Sequence, residues 1–135
     1  APDVFVQDAV VPRTELERLL PEIERIARGH GLRLANFFHA GDGNLHPNLL
    51  FDRRDADEVE RVEQAGAEIM HLCVAAGGTI TGEHGVGLDK IRHMPLMFGP
   101  AELDTMNRLH DAFDPDGSAN PGKVLPATGS AEVAG

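Results

Sequence analysis

Tryptophan and tyrosine are absent and phenylalanine supplies the whole 4% aromatic content, so large stacking surfaces are scarce. Cationic residues are also few: 12 Lys plus Arg stand against 22 Asp plus Glu, a formal net charge of −10. That balance argues against a nucleic-acid partner, because phosphate binding needs a basic face. It equally disfavours docking on anionic lipid. No apolar run approaches the roughly 20 residues of a membrane span, and no charged-then-apolar opening marks a leader peptide. Cys73 is the single cysteine, which excludes an intrachain disulfide and fits a reducing, cytoplasmic compartment. The 135 residues leave room for one domain, and an opening on Ala1 rather than methionine fits a processed chain or a piece of a longer one.

What the chain does have is seven histidines and 15 glycines, several of them gathered in two short segments. Around those segments the pattern is readable. Residues 4–11 (VFVQDAVV) predict a strand ended by Pro12. Thr14 and Glu17 have capping-box spacing ahead of Leu16, Leu19, Leu20, Ile23, Ile26 and Ala27, a helical series reaching about Gly29. Pro21 inside it predicts either a kink or a helix that starts there. Residues 32–39 and 45–51 predict a hairpin closed by AGDGN. Asp55 and Glu58 open a second helix with Val59, Val62, Gly66, Ile69, Met70 and Cys73 on one stripe, stopped by Gly77-Gly78. A third helix is expected from Gly99-Pro100 to just before Pro115, with Leu103, Met106, Leu109 and Phe113 inward. The tail from Pro126 is small and polar and is expected to be mobile. The order of elements is that of an α+β fold: a mostly antiparallel sheet with helices on one face, then a helical C-terminal segment. Since the last fifty residues or so do not continue the pattern, strands from elsewhere are one way to complete the sheet.

The first segment, HAGDGNLH at 39–46, carries the chemistry most openly. Placing His39 opposite His46 sets Phe37 against Asn48 and Ala35 against Leu50. Paired residues share a sheet face with Cβ atoms about 4.5–5.5 Å apart, close enough for two imidazoles to converge on one divalent metal. Asn48 falls on the same face, one step along, within reach of a bound ligand. Asp42, between two glycines, reads as a turn former. The second segment, GGTITGEHGVG at 77–87, offers Glu83 and His84, which point apart if the chain is extended. His39, His46 and Glu83 would then hold a metal with open positions, and His84 would be the proton acceptor. The competing reading is a Gly-rich loop that happens to carry a charged pair. It matches no nucleotide-binding glycine pattern. His30, His71, His93 and His110, with Cys73 and the methionines, read as structural.

Taken together, HAGDGNLHPNLLFD, GGTITGEHGVGLDK and the closing DAFDPDGSANPGKVLP resemble the C-terminal part of the FAD-linked oxidases, the family of glycolate oxidase and D-lactate dehydrogenase flavin subunits. The opening VQDAVVPRTEL is similar as well, so the likeness runs over residues 4–126. It implies a ferredoxin-like cap-domain fragment over residues 1–125, with residues 126–135 as tail and the flavin-binding domain outside this chain. It implies FAD and a divalent metal (Zn, Mn or Fe) as cofactors, His39, His46 and Glu83 as metal ligands, Asn48 on the substrate and His84 as catalytic base. Glycolate or D-lactate is the implied substrate. An electron acceptor, with an iron–sulfur subunit among the candidates, is the implied partner, and through it a peripheral inner-membrane location. Ser118 and Ala119 replace apolar residues usual before Asn-Pro-Gly-Lys, and His110 stands where lysine is common; both predict weaker C-terminal packing. The isolated chain is expected to be inactive. Two other classes fit the residues alone: a metal-dependent hydrolase using the same site, and a non-catalytic acidic domain docking through a sheet edge.

Overall fold

The computed structural model describes residues 3–39 and 41–127. It divides into two compact units, residues 1–84 and 85–135. In the first unit, strands β1 (Asp3–Val6), β2 (Ala9–Val10), β3 (Arg33–His39) and β4 (Asn44–Phe51) form one antiparallel sheet, with helices α1 (Leu16–Gly29) and α2 (Ala56–Ala75) packed on it. β4 is central, pairing with β3 along one edge and with β1 and β2 along the other. This is the α+β arrangement expected, with four strands supplied by the chain itself.

Side chains alternate across the sheet. Leu45, Pro47 and Leu49 of β4 are fully buried on the helix side, with Leu19 and Ile23 of α1 and Val62, Ile69, Met70 and Cys73 of α2. Both helical stripes therefore bury most of the residues their spacing predicts, with Leu16, Leu20 and Val59 only half-buried at the ends and margin. Asp55 caps α2 by accepting from the N–H groups of Asp57 and Glu58 at 3.0 and 3.2 Å, and α2 stops one residue short of the Gly77-Gly78 pair. Gly66 lets α2 approach β1: a Cβ there would come 2.7 Å from the Phe5 ring.

Several expectations need correction. The single strand over 4–11 is two strands, broken at Gln7-Asp8. The register is the same on both sides of the gap, Val6 facing Asn48 and Ala9 facing Leu45. The break falls where Pro47 has no N–H to give to the ladder. The Thr14–Glu17 capping box does not form; residues 13–15 make a 3-10 turn and Glu15 precedes α1 without a side-chain cap. α1 does not start at Pro21 but runs through it. Pro21 and Glu17 are both exposed, so water can satisfy the carbonyl that the proline leaves free.

In the second unit, a 3-10 segment at Ile91–Leu96 precedes α3 (Pro100–Phe113). α3 begins and ends where Gly99-Pro100 and Pro115 predict, yet none of its side chains is buried, and Phe113 is 85% exposed. Of the predicted inward stripe, Leu103 and Met106 are half-buried while Leu109 and Phe113 are exposed, because spacing identifies a face without fixing how far it is covered. Ser118 serves as a polar anchor, since its N–H and hydroxyl, and the N–H of Ala119, bind the Asp114 carboxylate at 3.1, 3.0 and 2.7 Å. Those bonds hold Asp114 below the usual carboxylate range. The mobile tail expected from Pro126 lies, past Ala127, outside the described residues. Among the described residues, no helix is long and apolar enough to cross a membrane.

Two outcomes follow from this packing. Burial pushes the Cys73 thiol up to about 11, so iodoacetamide at pH 8 should label it only after denaturation; rapid labelling of the native chain would show that the α2 stripe is not packed. Gly43 has φ +80°, and a Cβ there would sit 2.1 Å from the Val11 carbonyl oxygen. Gly43→Ala should therefore cost about 2 kcal/mol or more in urea unfolding.

Candidate metal centre

The site lies on the sheet face away from the helices. The hairpin closes tightly: the N–H groups of Asp42 and Gly43 reach the His39 carbonyl at 3.2 and 3.1 Å, and Asp42 Oδ1 accepts from Asn44 N at 3.1 Å. Asp42 is thus a turn former, and it belongs to no donor cluster among the described residues. His39 pairs with Asn44 and Phe37 with His46, two residues away from the pairing expected. Asp42 tightens the turn and so shifts the register. A one-residue slip would have put the imidazoles on opposite faces, but a two-residue shift leaves them together. The rings of His39 and His46 meet edge to face, 5.5 Å between centroids.

His46 is the pivot. It is 8% exposed, and its Nδ1 lies 3.3 Å from the Gln7 carbonyl oxygen. That contact turns Nε2 towards Glu83, whose Oε1 is 3.3 Å away. His84 stacks on His46 at 5.1 Å, with Nε2 3.8 Å from the same carboxylate oxygen. Glu83 and His84 therefore do not diverge as an extended chain would make them. The backbone there is wrapped around a buried carboxylate, Asp8, which accepts from the Thr81 hydroxyl and from the N–H groups of Gly82, Glu83 and His84. Gly82 makes the wrap fit: a Cβ there would sit 2.7 Å from both Asn44 Oδ1 and Val10 Cγ2.

The donor atoms of His39, His46 and Glu83 all lie within 4.8 Å of one another, and so do those of Asp8, His46 and His84. Two imidazoles and a carboxylate suit a first-row divalent ion. Asn48, two residues along β4 on the same face, is 9% exposed, and its Oδ1 has no hydrogen-bond partner among the described residues. A buried amide with spare capacity is what a bound polar ligand would satisfy. Of the residues singled out in the two segments, His39, His46, Glu83 and His84 thus come together, and Asn48 shares the sheet face of His46. Asp8 was missed, although it is the one ionised residue in the run VFVQDAVV, and a charge buried in a strand needs partners. The remaining four histidines lie outside both clusters: His30 pairs with Glu68 at 3.0 Å, His71 is exposed on α2, His93 is buried beside Arg92, and His110 lies beside Asp111. A cleft lined by Gly31, Arg33, Asp52, Arg54 and Glu58 lies at the other end of the hairpin. There the Arg54 guanidinium holds the Asp52 carboxyl well below its usual range.

An α+β domain with a cluster of His, Asp and Glu side chains that could hold a metal ion on one sheet face is the class that fold and site define. The chain belongs to the FAD linked oxidases, C-terminal domain family, whose model matches residues 1–124. It is 46% identical over 126 residues to glycolate oxidase subunit GlcD of Escherichia coli K12, covering 93% of this chain and 25% of that protein. It is 32% identical over 124 residues to the mitochondrial D-lactate dehydrogenase [cytochrome] of Arabidopsis thaliana, covering 92% and 22%. It is 34% identical over 131 residues to D-2-hydroxyglutarate dehydrogenase of Pseudomonas putida KT2440, covering 97% and 13%. The chain thus spans a quarter or less of these relatives, and it is homologous to FAD-dependent 2-hydroxy-acid oxidoreductases.

If the cluster is a metal centre, His39→Ala and His46→Ala should each weaken Zn²⁺ binding by about 100-fold or more in calorimetry. His39 is exposed, so its substitution should leave the circular dichroism unchanged. Undiminished zinc binding in both variants would remove the site.

Proposed function

We propose that this domain supplies the substrate-holding side of the active site of a flavin-dependent 2-hydroxy-acid oxidoreductase, acting on glycolate or D-lactate. The observation that carries the reading is the meeting of His39, His46 and Glu83, distant in sequence, with donor atoms within 4.8 Å of one another. His84 and the unpartnered amide of Asn48 stand beside them. His39, His46 and Glu83 hold a divalent ion, Zn, Mn or Fe; such an ion supplies Lewis acidity that lowers the pKa of a chelated 2-hydroxyl. Asn48 meets the polar end of the substrate. His84, stacked on His46 and 46% exposed at its side chain, receives the hydroxyl proton on a ring nitrogen.

Oxidation of a 2-hydroxy acid to a 2-keto acid removes that proton and the hydride on C2. This chain's residues handle the first, and FAD, bound mainly by residues outside the chain, supplies the acceptor for the second. Reoxidation then calls for an electron acceptor, for which an iron–sulfur partner subunit is one arrangement. Val4, Val6 and Phe37, exposed at 48%, 48% and 64%, share the site's sheet face. They give the polar cluster an apolar surround, suited to the carbon skeleton of a small acid beside a planar ring.

The test is made on the chain itself. Loaded with Mn²⁺ or Zn²⁺, it should bind glycolate or D-lactate in a metal-dependent way. Asn48→Ala should weaken that binding about tenfold without changing metal affinity. The purified chain should carry no flavin absorbance and should not turn over 2-hydroxy acids. Hydrolysis of esters or phosphoesters by the metal-loaded chain would favour the hydrolase instead, and stoichiometric FAD would contradict the division of labour.

A further inference from the structure

Two donor sets compete for one imidazole. His46 belongs both to the set with His39 and Glu83 and to the set with Asp8 and His84. Only the first leaves His84 free for a proton, so the choice between them decides whether the site has a base.

The surroundings of Asp8 separate the two. Its carboxylate is fully buried. Oδ2 accepts from Thr81 Oγ1 at 2.7 Å and from the N–H groups of Gly82, Glu83 and His84 at 2.9, 3.2 and 3.0 Å. Oδ1 lies 3.3 Å from the same Glu83 N–H. Three consecutive backbone N–H groups converging on one anion form a nest, and a carboxylate oxygen so surrounded has its lone pairs engaged. To ligate a metal through Oδ2, Asp8 would have to give up donors that hold the loop; ligation through Oδ1 would compete with its 3.3 Å contact to the Glu83 N–H. Glu83 is the reverse case: its side chain is 56% exposed, and its Oε1 already points at His46 Nε2.

We infer that Asp8 is a positioning residue: it builds the Thr81–His84 corner in the metal-free chain, aims Glu83 at His46, and so directs the ion to His39, His46 and Glu83, leaving His84 unligated. The inference rests on the metal reading for its consequence, though not for the corner itself. Convergence of N–H groups on one point curls the chain, which is why neighbouring Glu83 and His84 both face His46. The register places Asp8 across β4 from His46, on the same sheet face. The carboxylate lies beneath the loop, and the corner is anchored at the pivot of the site.

Asp8→Asn tests this, since the amide is nearly isosteric but presents donors to donors. In the metal-free chain, hydrogen exchange at the amides of Gly82, Glu83 and His84 should accelerate about tenfold or more, while Leu49 and Ile69 keep their protection. With Zn²⁺ alone as probe, affinity should fall about 10- to 100-fold. In a Glu83→Ala background the same substitution should cost less than about threefold, because its effect travels through Glu83. Equal losses in both backgrounds, unchanged exchange, or a Glu83→Ala variant with wild-type zinc affinity would each overturn the inference; the last is expected if Asp8 were itself a ligand. Should Asp8→Asn fail to fold, Thr81→Val keeps the carboxylate and removes one donor. It should accelerate the same amides by about threefold, and no change there would count against the inference. If the wild-type chain takes up no zinc, the metal reading falls, and amide exchange alone decides whether Asp8 builds the corner.

Discussion

A proline in a central strand removes a ladder hydrogen bond, and at Pro47 the carbonyl left over belongs to Gln7. That carbonyl lies 3.3 Å from Nδ1 of His46, next to the proline in sequence. A ring held at Nδ1 presents Nε2, and Nε2 faces Glu83. The same interruption separates β1 from β2 at Gln7-Asp8, where the loop reaching His84 folds onto the Asp8 carboxylate. One missing N–H thus accounts for the orientation of the pivotal imidazole and for the gap at which the loop attaches. Metal sites depend on the groups that fix the free side of each ligating imidazole, and in the site proposed around His46 that group is a backbone carbonyl released by an imino acid.

Sheet geometry explains why the hairpin reading survived an error in detail. The face on which a side chain lies depends only on parity, so a two-residue displacement moved every partner and left His39, His46 and Asn48 on one surface. The turn was the part that spacing alone did not resolve, because Asp42 closes it through its own side chain rather than by a symmetric loop. The stripes of α1 and α2 were legible for a similar reason. Burial of Leu19, Ile23, Ile69 and Cys73 is enforced by the helical period together with a sheet to pack on. On α3 the same period leaves Leu109 and Phe113 exposed and Leu103 and Met106 half-buried, since period marks a face without saying how far it is covered.

The corner at Thr81–His84 was the least legible feature. Its conformation is set by Asp8, 75 residues before Glu83, and no local propensity encodes a partner at that distance. Adjacent residues in an unspecified loop default to opposite directions, which is why spacing alone makes Glu83 and His84 diverge. One signal was nevertheless present. A carboxylate inside VFVQDAVV is out of place unless something satisfies it, and a glycine-punctuated loop rich in free N–H groups is the complement it needs.

Exposure places a limit on what this surface does alone. Glu83 and His84 remain about half exposed, and Phe37 on the same face is 64% exposed. Water at such a site screens the charges that a developing alkoxide would depend on. It also competes for the open positions of any ion held there. In the proposed reading, the ligands and the adjacent base all lie within residues 8–84. That set is not dry, since the Glu83 and His84 side chains are 56% and 46% exposed. The relatives of which this chain spans 25% or less are correspondingly longer. A surface that orients ligands while open to solvent suits the binding side of a two-sided active site, which is the role proposed for it.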